Sequence, residues 1–214
     1  MTTMGHPTLG RMCLSSKPSP RVEPRHRAAT SMILDREQSV LLIVDVQERL
    51  APAICNIDTV LAKAGLLIRA ASRLGVPIAF TEQYSSGLGA TVSVLRNLAP
   101  QAPIIAKVHF QATLEAGLAA WLQECGATQV VVAGTEAHVC VLQTTLGLLE
   151  IGYVPFLVAD AVGSRRDRDL ALAVERLRSA GCRIVSVEMV LFEWLKKAAT
   201  DEFRELLALI KEEN

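Results

Sequence analysis

The chain has 214 residues, half of them hydrophobic, and its 22 basic and 22 acidic side chains give a formal net charge of zero. That length and apolar content are enough to bury one sizeable core. A neutral chain with only 4% aromatic residues offers neither a phosphate-binding surface nor a platform for stacked bases, and no uncharged apolar run reaches about 18 residues, so neither a nucleic acid nor a membrane is an expected partner.

The first 31 residues differ in composition from the rest of the chain. They carry five basic residues, one acid and four prolines, a composition that gives folding little apolar surface to bury. We therefore expect a flexible basic tail over residues 1–31, ahead of one folded domain over residues 32–199. A targeting segment, an upstream start ahead of Met32 and a disordered tail all explain this composition.

Short apolar runs alternate with helical patterns from residue 40 onwards. The runs predict strands at 40–44, 76–81, 104–106, 130–132, 153–158 and 183–187. Apolar residues at helical spacing predict helices at 57–74, 113–125, 139–151 and 167–180, with a short helical patch at 91–98 after a loop at 82–89. This order predicts an α/β fold, a doubly wound (Rossmann-like) three-layer sandwich with a six-stranded, mainly parallel sheet.

The C-terminal segment, residues 200–214, is expected to form an amphipathic helix. Its apolar residues Phe203, Leu206, Leu207 and Ile210 follow the i, i+3, i+4, i+7 spacing of a single helical face. That face would dock on the body of the protein or on a second subunit, and we expect a homo-oligomer.

Five cysteines are scattered along the chain without a CxxC pair. One would be left over even if the other four formed disulfides, so the cysteine usage predicts a reduced, cytoplasmic protein. Cys140 stands in the first part of the helix that follows the strand at 130–132, where free N–H groups and the helix dipole favour a thiolate. We therefore expect Cys140 to react ahead of Cys55, Cys125 and Cys182, although a buried structural cysteine is the alternative.

Three chemically versatile residues, Asp45, Lys107 and Cys140, each follow a different predicted strand. Because the carboxyl ends of parallel strands meet at one edge of a sheet, we expect them to lie together. Cys140 would then be a nucleophile, Asp45 its base and Lys107 a cation, with the backbone N–H groups of Glu136 and Cys140 as an oxyanion hole. Taken singly, each residue is better explained by structure, Asp45 as the cap of a turn and Lys107 as a lysine that reaches to solvent, and only their conjunction favours a catalytic site.

Three motifs resemble the signature regions of the isochorismatase-like cysteine hydrolases, the family that includes nicotinamidases and N-carbamoylsarcosine amidases. These motifs are LLIVDVQERL at 41–50, AKVHFQA at 106–112 and VVVAGTEAHVCV at 130–141. The resemblance spans about residues 34–199, and the Asp, Lys and Cys of the three regions occur in the family's order.

The resemblance implies an isochorismatase-like hydrolase domain with a catalytic triad of Asp45, Lys107 and Cys140. In such enzymes the cysteine attacks a carbonyl or related carbon of a small-molecule substrate and forms a thioester-type intermediate that water hydrolyses. We expect no cofactor in this chain. The resemblance also implies a cis peptide bond between Thr135 and Glu136.

Two departures from the family's patterns argue against two of the family's activities for this chain. Nicotinamidases carry an Asp-x-His pair and a further His that bind a metal, whereas the loop at 81–89 reads TEQYSSGLG and no such pair follows Asp45. Isochorismatases proper have a small, non-nucleophilic residue where Cys140 stands. The chain is therefore most similar to the uncharacterised isochorismatase-domain branch, and no metal is expected.

The sequence leaves the substrate open and allows three functions. Gln47, Tyr84, Phe110 and Glu136 are expected to line the substrate pocket. The leading hypothesis is a metal-independent cysteine hydrolase of a small non-peptide amide or related C–N bond. The alternatives are a nicotinamidase-like enzyme with an atypical site and a catalytically idle, oligomeric binding or scaffold protein.

Overall fold

A sheet of six parallel strands lies at the centre of the fold in the computed structural model, which describes Met1 and residues 32–212. In chain order the strands are β1 Ser39–Val44, β2 Ile78–Gln83, β3 Ile104–Lys107, β4 Gln129–Thr135, β5 Val154–Gly163 and β6 Arg183–Val185. Their order across the sheet is β3-β2-β1-β4-β5-β6, and every neighbouring pair runs parallel. The predicted doubly wound α/β fold is confirmed, with a sheet that is parallel throughout.

Helices connect the strands and follow the last of them. They are α1 Ile57–Leu74, α2 Ser85–Leu88, α3 Ser93–Arg96, α4 Ala116–Cys125, α5 Leu142–Glu150, α6 Asp167–Ser179, α7 Val187–Leu195 and α8 Asp201–Glu212. No helix within residues 32–212 combines the length and the apolar character that crossing a membrane requires. The basic tail predicted at 1–31 falls, apart from Met1, outside the described residues.

The helices cover both faces of the sheet. Successive residues of a strand point to opposite faces, so β1 divides its apolar side chains between two cores. Leu41 and Ile43 pack with the buried faces of α1, α7 and α8. On the other face, Val40, Leu42 and Val44 pack with those of α4, α5 and α6. This is the three-layer arrangement that a strand buried on both faces requires.

Several predicted boundaries lie elsewhere in the structure, and β5, for example, extends to Gly163 rather than ending at residue 158. Strand β2 begins at Ile78 rather than at residue 76, because Pro77 has no N–H to contribute to a sheet. Helix α4 begins at Ala116 rather than at residue 113, because a 3₁₀ turn, Ala112–Leu114, precedes it. Leu114, which the helical period placed inward, is consequently 59% exposed.

Helix α7 is an element that the sequence patterns do not predict. The apolar run at 183–187 indicates a strand, but β6 ends at Val185 and α7 begins two residues later. Ser186 is the N-cap, and its Oγ accepts the Met189 N–H at 3.2 Å. A cap of this kind stabilises a helix by about 1 kcal/mol, and the helix also buries Trp194 completely.

The C-terminal helix α8 docks on the body of the same chain. Leu206 is fully buried, and the Phe203 ring lies 6.3 Å from the ring of Phe192 in α7. Glu205 pairs with Arg73 of α1. Of the two docking sites that the sequence allowed for this face, the structure therefore occupies the one on the protein's own body.

The order of the strands reverses direction between β1 and β4, where doubly wound folds place their ligand crevice. Asp45 follows β1 immediately, and β4 leads into the turn that contains Cys140. Gly134, near the end of β4, has a φ of 120°, and a Cβ built on it would lie 2.1 Å from the Val44 carbonyl oxygen. A glycine is therefore required where the two strands approach the crevice.

Replacing Gly134 with alanine is expected to lower the free energy of unfolding by about 3 kcal/mol or more, because the methyl group meets backbone rather than a movable side chain. The matched control is Gly126→Ala, where φ is also positive but nothing lies within 4 Å of the new Cβ. That control should cost about 1–2 kcal/mol. Urea denaturation of both variants measures the difference, and equal costs would contradict the close approach.

Candidate active site

Asp45 comes directly after β1, in a backbone conformation that residues other than glycine rarely adopt. Its φ is 50°, and the residue is fully buried. The hydroxyl of Thr81 donates to Asp45 Oδ1 at 2.5 Å, and the hydroxyl of Thr135 donates to the Asp45 carbonyl oxygen at 2.7 Å. Strand β2 thus fixes the carboxylate of Asp45, and strand β4 fixes its backbone. Non-glycine residues in the left-handed region cluster at functional sites.

Lys107, the last residue of β3, brings a cation to the same carboxylate. Its Nζ lies 2.7 Å from Asp45 Oδ2, and neither side chain is exposed to solvent. The ammonium also donates to Gln83 Oε1 at 2.6 Å and to the His109 carbonyl oxygen at 3.3 Å. Removing one member of a buried ion pair leaves an uncompensated charge, so Asp45 and Lys107 depend on each other.

Cys140 lies in a π-helical turn, Ala137–Val141, between β4 and α5. The peptide bond between Thr135 and Glu136, just before this turn, is cis. Val139 and Val141, the chain neighbours of Cys140, each donate their N–H to the Glu136 carbonyl oxygen at 3.1 Å. The N–H of Cys140 does not share this acceptor. Single π-helical turns are rare and occur frequently at functional sites.

The pKa of the Cys140 thiol is raised, contrary to the expectation from its place in the helix. Burial is the largest cause and the negative charge of Asp45 the second, while Lys107 opposes both, and the pKa rises to about 12. Only 6% of the residue is exposed. Desolvation outweighs the helix dipole here because the first turn of a helix contributes only a fraction of an elementary charge. In the free protein Cys140 is therefore a thiol.

The pH dependence of alkylation should reveal this protonated thiol. With a pKa of about 12, labelling of Cys140 should accelerate about tenfold per pH unit from pH 7 to pH 10. The exposed Cys55 should react before Cys140, which reverses the predicted order of these two thiols. Peptide mapping after timed iodoacetamide treatment measures both rates, and a Cys140 rate that levels off near pH 8 would contradict the raised pKa.

The residues predicted to line the pocket divide into two groups. Gln47 is fully buried, with its amide Nε2 donating to the carbonyl oxygens of Gln83 and Gly89 at 3.1 and 2.7 Å, so in this structure it presents no surface to a pocket. Tyr84 and Phe110 are 61% and 52% exposed. Tyr84 and Phe110 follow the ends of β2 and β3, and their place in a substrate pocket remains a prediction. Gln47 instead holds the backbone of Gln83 and Gly89.

Glu136, the fourth predicted pocket residue, pairs with Arg165 beyond the end of β5. The carboxylate Oε1 lies 2.6 Å from Arg165 Nε, and its side chain is 13% exposed. His138, in the same turn, has its Nδ1 3.0 Å from the hydroxyl oxygen of Ser164. Both side chains are thus drawn towards the end of β5, while Cys140 is turned towards Asp45 and Lys107.

The sequence patterns miss three residues that shape this site, namely Thr81, Gln83 and Thr135. The only signal available was their position, since each is a polar residue near the carboxyl end of an otherwise apolar strand. Their importance follows from distances between strands, which a pattern along one strand does not contain. Among residues 32–212, no three His, Cys, Asp or Glu side chains are grouped so that they could hold a metal ion.

This arrangement has the parts that nucleophilic catalysis requires. A thiol sits next to a buried carboxylate that can accept its proton, and a buried ammonium faces the same carboxylate. The π-helical turn supplies backbone N–H groups beside the thiol. Covalent catalysis needs a nucleophile, an adjacent base and donors for a developing oxyanion, and residues from β1, β3 and β4 bring these together.

Comparisons with known proteins agree on one family. Residues 39–189 match the Isochorismatase domain. A secreted isochorismatase effector, Isc1 of Phytophthora sojae, is 38% identical over 180 residues, which are 81% of this chain and 85% of that protein. That relative is named as secreted, so the cytoplasmic location expected from cysteine usage remains a prediction.

Two solved structures resemble the fold closely. The MAR1 ribonuclease of Caenorhabditis elegans has 33% sequence identity and a TM-score of 0.79, covering 84% of this chain and 92% of that one. YcaC of Pseudomonas aeruginosa, solved with hexane-2,5-diol and covalent acrylamide, has 26% identity and a TM-score of 0.79, covering 85% and 93%.

Proposed function

We propose that this chain, which belongs to the isochorismatase family of hydrolases, is a cysteine hydrolase that cleaves a C–N bond of a small, non-peptide amide without a metal ion. The observation that carries the proposal is the buried Asp45–Lys107 pair, 2.7 Å apart, whose charges both act on the thiol of Cys140. A buried ion pair contributes little net stability, so stability alone is a weak reason for its presence.

In the first half-reaction Asp45 acts as a general base. It takes the proton from Cys140 as Sγ bonds to the carbonyl carbon, so the thiolate forms only when a substrate is present to be attacked. The negative charge moves to the carbonyl oxygen, for which the N–H groups of Glu136 and Cys140 are the proposed donors. The C–N bond then breaks, the nitrogen takes the proton back from Asp45, and a thioester on Cys140 remains.

In the second half-reaction water replaces the amine. Asp45 accepts a proton from the water while the water oxygen bonds to the thioester carbon. The C–S bond breaks, the carboxylic acid leaves, and Asp45 returns the proton to the Cys140 sulfur. Lys107 stays beside Asp45 through both half-reactions. It holds the carboxylate in position while Asp45 gives a proton first to the nitrogen and later to the sulfur. Every proton is handled by side chains, so no metal is required.

The idle-scaffold alternative rested on the amphipathic C-terminus. Since α8 packs on α1 and α7 of its own chain, with Leu206 fully buried, that apolar face is already covered. A homo-oligomer remains a prediction, and it would need a surface other than this one. Sedimentation of the full chain, with a variant ending at residue 199 for comparison, measures the contribution of α8.

A substrate screen tests the proposed function. Ammonia or amine release is measured for a panel of small carboxamides and ureido compounds, with nicotinamide for the alternative enzyme. An RNA oligonucleotide is added because one similar structure is a ribonuclease, and its cleavage is followed by gel electrophoresis. Turnover of a small amide should survive EDTA within about twofold. Loss of turnover on chelation would favour the nicotinamidase-like alternative, and activity that persists in Cys140→Ala would overturn the proposal.

A further inference from the structure

The side chain of Gln83 connects the end of β2 to the ammonium of Lys107. These two residues are register partners at the adjoining ends of parallel strands, and only 9% of Gln83 is exposed. We infer that Gln83 is a positioning residue, which holds the Lys107 ammonium between Asp45 and Cys140. The inference rests on the proposed function, because it assigns Gln83 a role only through the lysine of the proposed triad.

The ammonium of Lys107 contacts three oxygen atoms, one through an ion pair and two through hydrogen bonds that it donates. They are Asp45 Oδ2 at 2.7 Å, Gln83 Oε1 at 2.6 Å and the His109 carbonyl oxygen at 3.3 Å. A lysine stem is flexible, and a buried ammonium keeps one orientation only while its donors are matched. Gln83 gives the shortest of these contacts, so it defines one side of the position that Lys107 occupies.

The orientation of the Gln83 amide is itself fixed from the other side. Its Nε2 donates to the Val108 carbonyl oxygen at 2.9 Å. A carbonyl can only accept and an ammonium can only donate, so the amide NH₂ must face Val108 and the amide oxygen must face Lys107. Exchanging the two amide atoms would lose both hydrogen bonds at once.

The backbone of Gln83 is held as firmly as its side chain. Its N–H donates to Gln47 Oε1 at 2.8 Å, and its carbonyl oxygen accepts from Gln47 Nε2 at 3.1 Å. The same Nε2 donates to the Gly89 carbonyl oxygen at 2.7 Å, and Gln47 is fully buried. Gln47 thus fixes Gln83, Gln83 fixes Lys107, and Lys107 fixes Asp45, which explains why two glutamines are buried beside the site.

The consequence of losing the Gln83 acceptor should be visible at Cys140. Lys107 lowers the pKa of that thiol, and Asp45 raises it. In Gln83→Met the ammonium has lost an acceptor, so it should leave its position and its effect on the thiol should weaken. The alkylation rate of Cys140 at a fixed pH should then fall about tenfold, the change that one pKa unit produces.

The experiment compares Gln83→Met with a matched control, Gln129→Met. Gln129 is also a buried glutamine on the sheet, 3% exposed, but it lies at the opposite end of the strands and bonds to Asp35 and Ile33. Iodoacetamide labelling of the Cys140 peptide is followed from pH 7 to pH 10 for both variants. A slower Cys140 in Gln83→Met alone is expected, and equal rates in the two variants would overturn the inference.

Two further measurements separate positioning from general destabilisation. Adding Gln83→Met to Lys107→Met should change the labelling rate no further, because Gln83 acts through the lysine. If Gln83→Met does not fold, Gln83→Leu replaces it, because leucine also removes the acceptor of the Lys107 ammonium and should also slow Cys140. Wild-type labelling in Gln83→Leu would contradict the role.

The labelling readout does not depend on hydrolysis, so the two proposals fail separately. A shifted Cys140 profile in a protein that hydrolyses nothing in the screen would remove the proposed function and leave the positioning contact. Cys140-dependent hydrolysis with an unchanged profile in Gln83→Met would remove the inference and leave the proposed function. Where a substrate is found, Gln83→Met should lower kcat about tenfold and leave KM within about threefold, because Gln83 does not touch substrate.

Discussion

Replacing Cys140 with alanine is expected to lower kcat by at least about 10³-fold while the protein stays folded. The sulfur of Cys140 bonds to the substrate in the proposed reaction, and among the described cysteines only Cys140 interacts with Asp45 and Lys107. The side chain is small and 6% exposed, so its loss creates only a small cavity. Amide turnover and thermal unfolding of purified Cys140→Ala are the measurements.

The chain supplies a close control for this variant in Cys182. That thiol is also buried, 4% exposed, and burial likewise raises its pKa to about 12. It lies just before β6, at the opposite end of the sheet from the crevice, and contacts the Pro155 carbonyl oxygen. Cys182→Ala should keep wild-type kcat, and a comparable loss in both variants would show that buried thiols matter for packing rather than for chemistry.

Breaking the Asp45–Lys107 pair is expected to have the largest effect on stability. In Lys107→Met the carboxylate of Asp45 is left buried beside an apolar side chain, which should lower the free energy of unfolding by about 3–5 kcal/mol. Activity should fall by at least about 10²-fold as well, because the general base is no longer held in position. Urea denaturation followed by tryptophan fluorescence measures the first effect.

The double variant Asp45→Asn, Lys107→Met separates the two effects. With both charges removed, no uncompensated ion remains, and the asparagine Oδ1 can still accept from Thr81 as Asp45 does at 2.5 Å. Most of the lost stability should return, whereas activity should not, because an amide cannot take the thiol proton. A double variant as unstable as Lys107→Met would show that the cost comes from shape rather than from the buried charge.

The raised pKa of Cys140 affects how the variants Cys140→Ala and Asp45→Asn are interpreted. A thiol with a pKa of about 12 reacts at neutral pH only if a base removes its proton during attack, so nucleophile and base work as one unit. Losses in Cys140→Ala and Asp45→Asn should consequently not add in the double variant. The rise of the Cys140 alkylation rate from pH 7 to pH 10 distinguishes the proposed mechanism from one in which Cys140 is already a thiolate.

Much of the fold could be predicted from local patterns. The strand at Val40–Val44 and the helix at Ile57–Leu74 are visible because apolar side chains repeat with a fixed period, and Gly75 ends that helix with a φ of 73°. Helix α7 is not predicted, because the apolar run at 183–187 is typical of a strand and hides the N-cap at Ser186. Only the packed structure shows that the strand ends at Val185 and that a helix follows.

The sequence by itself determined which three side chains come together. Asp45, Lys107 and Cys140 follow separate strands, and in a parallel sheet connected by helices the carboxyl ends of all strands lie at one edge. That conclusion needs only the order of the elements and the direction of the strands. The order of the elements follows from local periodicity, and the direction of the strands follows from the helices that connect them.

Only the tertiary structure determined the contacts, the burial and the pKa values of those side chains. The 2.6 Å contact between Gln83 and Lys107 and the burial of Gln47 join segments that are distant in sequence. The pKa of Cys140 likewise depends on desolvation summed over every element packed around it, which outweighs the helix start that the sequence identified. Interactions that depend on distance and burial exist only after the chain has packed, whereas periodicity is present in the chain before it folds.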